Sequence, residues 1–253
     1  MKFIHIHGYK CAGTTFEKIL QREFPDLLRI ESKNSGQRLF YEQIPDKLKT
    51  QSALTSHLLA PSDKVDCFQV SFIRDPYKRL VSAWRFQNKI AGNIECSLKE
   101  FINKYRASII SNYQTKLLSV QHKNNTFSSG WDVDINLEFI FGDNFFLGVV
   151  ERFDESMVIL EMKLKQLNIN IDLSYPSREN TADNSLQDKS DPQNLSKFAY
   201  SSIDTDLWLL KEAHLKLDKE IANIDSFEER FVEYKDRCKK STYLDYESKI
   251  IYI

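Results

Sequence analysis

The chain has 253 residues, 42% of them hydrophobic, enough to fill the core of one α/β domain spanning residues 1–253. Lys and Arg total 35 against 36 Asp and Glu, a formal net charge of −1, so no global charge calls for nucleic acid or an anionic membrane as partner. No apolar run is long enough to span a bilayer, and no leader pattern precedes the first strand-like segment. Cys11, Cys67, Cys96 and Cys238 form no C-x-x-C pair and no zinc spacing. They read as thiols of a reducing compartment, with Cys67 and Cys96 buried.

The first element is a β-rich run over residues 3–7 that breaks at Gly8 and enters a short loop. Beyond it Phe16, Ile19, Leu20 and Phe24 recur at i, i+3, i+4 and i+8, the spacing of one helix face. Gly13 allows close backbone approach to a ligand, and Thr14 is placed to cap the helix. Free amides at a helix start, at the positive end of its dipole, make an anion site, and Lys10 adds a charge inside the loop. The segment reads as a phosphate-binding loop. Its Gly8-x4-Gly13 spacing matches a nucleoside-triphosphate loop, yet Thr14-Thr15 stands where Lys-Ser or Lys-Thr would reach the phosphates and magnesium. His5 and His7 alternate onto one strand face. His7 is expected to orient the loop by hydrogen bonding, His5 to be a satisfied core histidine, and Cys11 to be an ordinary small side chain.

Residues 27–31 read as a second strand, 34–36 as a turn, 41–49 as a helix and 53–57 as a short apolar segment. Lys33, Arg38, Lys47 and Lys49 read either as the lining of an anionic acceptor groove or as solvated surface. A further β-rich run over residues 68–74 stops at Arg74, with Asp75 suited to an N-cap and Pro76 to a first helical residue. Arg79 and Ser82 then fall one turn apart. Arg74 at a strand's carboxyl end can fork onto a phosphate, to which Ser82 can donate. Ligands of open α/β sheets bind at such ends, so the two loops predict a ligand with phosphates at both ends. Trp84 and Phe86 read as core.

Residues 97–119 carry a helical apolar pattern, with Asn112 and Gln114 either facing an acceptor or lying on an exposed polar face. A polar loop over 122–134, a strand over 145–150 and an amphipathic helix over 153–167 follow. Residues 174–194 accumulate Ser, Asp, Asn and Pro without period and read as a mobile loop. The tail reads as a helix over 203–224 with Leu207, Leu210, His214, Leu217 and Ile221 as its buried stripe and Trp208 in the core. A second amphipathic helix over 227–240 and a final docking strand complete it.

His7-Gly8-Tyr9-Lys10-Cys11-Ala12-Gly13-Thr14-Thr15 resembles the 5′-phosphosulfate loop of sulfotransferases. Arg74-Asp75-Pro76-Tyr77-Lys78-Arg79-Leu80-Val81-Ser82 resembles their 3′-phosphate motif, R-D-P-x-x-R-x-x-S, in the family's order and separation. Asn112-Tyr113-Gln114-Thr115 and Gly148-Val149-Val150-Glu151-Arg152-Phe153-Asp154 resemble the carbohydrate branch, which holds the heparan 2-O- and chondroitin-type enzymes. The resemblance covers the chain to about Leu160; Tyr9 stands where the family usually has proline. It implies a P-loop-like central parallel sheet flanked by helices, with a helical C-terminal part. It also implies 3′-phosphoadenylyl sulfate (PAPS) as donor, PAP as product, no metal, and a carbohydrate hydroxyl as acceptor. Animal Golgi members carry an anchor and stem; with none before Met1, a cytoplasmic bacterial enzyme is expected.

By the same resemblance Lys10, Ala12, Gly13, Thr14 and Thr15 hold the 5′ end of the donor, Arg74 and Ser82 its 3′-phosphate, and Arg178 or Asn180 a covering segment. It further implies a histidine base upstream of the Arg74 strand, a role His57 would fill, with Glu31 and Glu42 as alternatives. A neutral imidazole suits proton abstraction near pH 7. A sulfonate carries one negative charge, so the charge to be stabilised grows on the bridging oxygen, where Lys10 and the amides of residues 13–15 would be aimed. Two other readings stay open: a P-loop kinase of a small metabolite, and a nucleotide-binding module without catalysis.

Overall fold

The computed structural model describes residues 3–33, 38–91, 96–105, 109–119, 136–176, 203–242 and 250–253. The β-rich runs become β1 (Phe3–Ile6), β3 (Ala53–Ser56), β4 (Phe68–Ile73) and β5 (Phe145–Val149), each buried along its whole length. Such continuous burial belongs to strands covered on both faces of a parallel sheet. β2 (Leu28–Glu31) and the C-terminal β6 (Ile250–Tyr252) complete a sheet of order β5-β4-β1-β3-β2-β6, in which every pairing is parallel. The strand order turns about β1, with β3 and β2 on one side and β4 and β5 on the other. The crevice at the carboxyl ends of β1 and β4 is therefore the switch point where sheets of this kind receive ligands.

Helices cover both faces. α1 (Gly13–Glu23) follows β1, α2 (Pro76–Ala91) follows β4, and α3 (Leu98–Tyr105), α4 (Tyr113–Leu118) and α5 (Leu137–Ile140) precede β5. α6 (Phe153–Gln166), α7 (Asp204–Ala222) and α8 (Phe227–Lys240) come after it. Phe3, Val70, Phe72 and Phe146 point to one face, against Phe16 and Ile19 of α1, Met157 and Leu160 of α6 and Tyr234 of α8. Ile4, Ile6, Leu54 and Leu147 point to the other, against Tyr113 and Leu117 of α4 and Leu209 and Ala213 of α7. Among the described residues no helix is long and apolar enough to cross a membrane.

Several expectations give way to local chemistry. Residues 41–49 form two 3₁₀ turns, Tyr41–Gln43 and Asp46–Leu48, because Pro45 forces Ile44 into an extended conformation between them. The pattern over 97–119 breaks at Asn112, which adopts a left-handed φ of 42° and starts α4 anew. Trp208 is 42% exposed, not core, and the buried stripe of α7 is Asp206, Leu209, Leu210, Ala213 and Leu217. Asp206 faces inward because it accepts from the Gln114 amide at 3.2 Å and from the Thr115 amide and hydroxyl at 2.7 Å each, which rotates the helix. Arg38 is neither groove lining nor surface: it is buried and donates to the carbonyls of Lys116, Leu117 and Ser119 at the end of α4. Lys33 and Lys47 are exposed, Lys49 pairs with Asp46, and Cys96 is half-buried while Cys67 is buried. The expected turn at 34–36, the loop over 122–134 and residues 177–194, with Arg178 and Asn180, lie outside the described residues.

Candidate active site

The tip of β1 is shaped by two residues in the left-handed region, Lys10 (φ 64°) and Ala12 (φ 60°). Such residues turn successive N–H groups toward one side, the arrangement of an anion nest. α1 begins at Gly13 on the Ala12 N-cap, with no side-chain cap bond, so Thr14 lies inside the first turn instead of capping it. Thr14 is exposed and Thr15 is buried. A Cβ on Gly13 would lie 1.9 Å from His7 Cδ2, so glycine is what lets the His7 ring lie against the helix start. His7 Nδ1 stands 3.3 Å from Glu17 Oε2 without a hydrogen bond, so ring packing, rather than the expected side-chain bond, seats His7 in the loop. Tyr9 is tied at both ends: its amide donates to Tyr113 Oη at 3.1 Å and its hydroxyl accepts from Gln87 at 3.0 Å. The Lys10 ammonium lies 4.0 Å from the centre of the Phe86 ring, and burial together with the Arg74 charge lowers its pKa. Phe86 is thus half-buried beneath a cation, and Trp84, also half-buried, donates to Cys96 O at 2.6 Å. Burial pushes the Cys11 thiol up to about 12, which keeps it protonated, as its reading as an ordinary side chain requires.

The tip of β4 follows the sequence closely. Asp75 Oδ1 accepts from the Lys78 amide at 2.7 Å and Pro76 is the first residue of α2, so the predicted cap is present. Arg74 Nη1 donates to Lys10 O at 3.4 Å, which brings the two loops together at one end of the sheet. Arg74 Nε is buried and has no hydrogen-bond partner among the described residues, with Glu151 Oε1 standing 3.9 Å away. Ser82 is half-buried in the second turn of α2. Arg79, one turn before it, is fully buried, donates to Ile109 O at 2.6 Å and lies 4.5 Å over the Tyr113 ring, so it braces the site from beneath.

Gln114 is the residue whose place the sequence reading got wrong. It faces neither solvent nor an open groove: it is 1% exposed and lodged between the two loops, bonded to both peptide groups of Arg74. Its neighbours Asn112, Thr115 and Lys116 are polar as well, so nothing in the pattern marked Gln114 as the one that points inward.

β3, on the other side of β1, delivers His57. Its Nδ1 donates to His7 O at 2.9 Å. A carbonyl can only accept, so Nδ1 holds the proton and Nε2 keeps a free lone pair. The His7 and His57 rings stand 3.9 Å apart, and burial lowers the His57 pKa while Glu31 opposes it. Glu31 accepts from Arg29 at 3.0 Å, and Glu42 is exposed in its 3₁₀ turn. His5 is buried with Nδ1 3.0 Å from Thr55 Oγ1, but its Nε2 has no partner among the described residues, so it is only half satisfied.

Three adjacent parallel strands, β4, β1 and β3, thus bring Arg74, the Lys10 loop and His57 to one end of the sheet. Among the described residues no group of three or more His, Cys, Asp or Glu side chains is placed to hold a metal ion. A search of the curated proteins returns no match. A scan against protein-family models matches residues 2–208 to the sulfotransferase family. That match spans well over half of the chain and takes in all three strand ends, and with it the chain belongs to the sulfotransferase family.

Proposed function

We propose that the chain transfers a sulfuryl group from PAPS to a hydroxyl of a carbohydrate by in-line displacement, as one domain over residues 1–253. The observation that carries this reading is the meeting of the Lys10 loop with Arg74, whose buried Nε–H has no hydrogen-bond partner among the described residues and only Glu151 Oε1 at 3.9 Å as a charged neighbour. An anion beside Arg74 would satisfy that donor, and the left-handed loop with the α1 start offers a second anion cradle next to it. The residues present therefore fit a nucleotide phosphorylated at both the 3′ and 5′ positions.

When bound, the donor supplies an activated sulfuryl group and a bisphosphate leaving group. The amides of Ala12, Gly13, Thr14 and Thr15 and the two threonine hydroxyls bind the 5′-phosphate side. Lys10 stabilises the negative charge that grows there, as an oxyanion hole would. Arg74 and Ser82 hold the 3′-phosphate, which excludes ATP as an equal competitor. His57 Nε2 takes the proton from the acceptor hydroxyl; Glu31 is engaged by Arg29 and Glu42 faces solvent, which favours His57 over both. The carbohydrate acceptor rests on the resemblance of residues 112–115 and 148–154, and a cytoplasmic setting is supported by four free cysteines.

Binding of 3′,5′-adenosine bisphosphate, measured by calorimetry, should weaken by about tenfold or more in Arg74→Ala, the loss of a charge-assisted contact worth roughly 1.5–3 kcal/mol. Equal affinity would overturn the donor assignment. A screen with labelled donor against polysaccharides should find a sulfated glycan; transfer to phenols or amines alone would replace the acceptor class.

A further inference from the structure

We infer that Gln114 is a positioning residue of the donor site: its buried amide ties the Lys10 loop to the Arg74 tip and sets where the 3′-phosphate anchor stands. The inference rests on the reading of Arg74 as that anchor.

Beyond Ile6 the chain of β1 leaves the sheet to form its loop, while β4 continues beside β5 as far as Ile73. Arg74 is the first residue past the ladder. Gln114 takes the place of the missing strand there. Its Oε1 accepts from Arg74 N at 2.7 Å and its Nε2 donates to Arg74 O at 2.9 Å, the pair of bonds a neighbouring peptide would make. The same Oε1 accepts from the Cys11 thiol at 3.4 Å, and that thiol stays protonated, so the bond persists at neutral pH. One side chain therefore bridges the two phosphate motifs.

Gln114 is itself held. Its backbone N–H donates to Asp206 Oδ2 at 3.2 Å, and Asn112 Oδ1 accepts the Thr205 and Asp206 backbone amides at 3.1 and 3.2 Å in return. The next peptide is gripped in the same way, since Asp75 N donates to the Glu151 carboxylate at 3.2 Å. The backbone of the anchor is set by side chains from α4 and from the turn after β5. Gln114 is 1% exposed and two of its three side-chain bonds go to Arg74, so its contribution passes through Arg74.

The experiment compares affinities for 3′,5′-adenosine bisphosphate and adenosine 5′-monophosphate by calorimetry. The ratio of the two reports the 3′-phosphate contact alone. In Gln114→Met, which keeps the volume and removes all three bonds, the ratio should fall about fivefold or more while monophosphate affinity changes less than about threefold. Adding Gln114→Met to Arg74→Ala should produce no further fall, because the residue acts through Arg74. If the Met variant fails to fold, Gln114→Asn, too short to reach both Cys11 and Arg74, carries the same test. A loss shared equally by both ligands, or an unchanged ratio, overturns the inference. If Arg74→Ala itself leaves the ratio at its wild-type value, the donor-site reading fails and takes this inference with it. If Arg74→Ala collapses the ratio and Gln114→Met does not, this inference alone is overturned.

Discussion

Gly13 carries no side chain because the His7 ring occupies the space one would need. Alanine is the better helix former by up to about 1 kcal/mol, but forcing an extra carbon into a filled site costs about 1–3 kcal/mol. The steric cost wins. Gly13→Ala should lose roughly 1 kcal/mol of stability by urea denaturation and weaken bisphosphate binding about tenfold, as the displaced ring disturbs the helix start. At the neighbouring strand, His57 in its proposed role can act as a base only when neutral. Burial holds its pKa below the ordinary 6.5, so kcat/KM should stay flat through neutral pH and decline only at more acidic values. His57→Gln should remove that limb and cut turnover about 10²- to 10⁴-fold, with bisphosphate affinity nearly unchanged. A wild-type limb persisting in the variant would move the base role to another residue. The close, tilted packing of His57 against His7 was not legible in the sequence, since the two lie 50 positions apart and meet only because β3 pairs with β1 in register.

Both loops proposed to bind phosphate were legible as strand–loop–helix units because their punctuation is chemical: Gly8 and Gly13 around one, Asp75-Pro76 at the other. The Asp75 cap makes a direct test at this scale. Asp75→Ala should cost about 1 kcal/mol by loss of the Lys78 amide bond, whereas Asp75→Asn retains an acceptor and should lie within a few tenths of wild type. Equal losses in both variants would mean that charge, not capping, is what α2 requires. What escaped the sequence was any element whose facing depends on a distant polar group. α7 turns Asp206 inward to the start of α4, which carries Leu209 into the core and leaves Trp208 outside; apolar periodicity, blind to that bond, points the other way. Gln114 belongs to the same class, and Pro45 broke a helical pattern by local sterics that the pattern outweighed in the reading.

Across the whole molecule, β1 and the residue just past its end bury two neutral imidazoles. His5 and His7 both have pKa values pushed well below 6.5, first by burial, so the unfolded chain takes up protons near that pH that the folded chain refuses. Their contribution to stability is complete above about pH 6.5 and is lost as pH falls, with a slope of up to about 1.4 kcal/mol per pH unit for each group. Urea midpoints measured between pH 7.5 and 5 should decline, and His5→Gln should flatten the decline. A wild-type profile level over that range would mean that the imidazoles protonate in place. The parallel sheet has one more effect. Neighbouring strands stand about 4.8 Å apart, so the tips flanking β1 are separated by roughly 10 Å whatever loops they bear. The backbone ladder thereby serves as a gauge: the interval between the arginine proposed to grip one end of the donor and the imidazole proposed to deprotonate the incoming alcohol is built into the architecture. Segments at the rim are then free to diverge toward new acceptors without resetting the reaction axis.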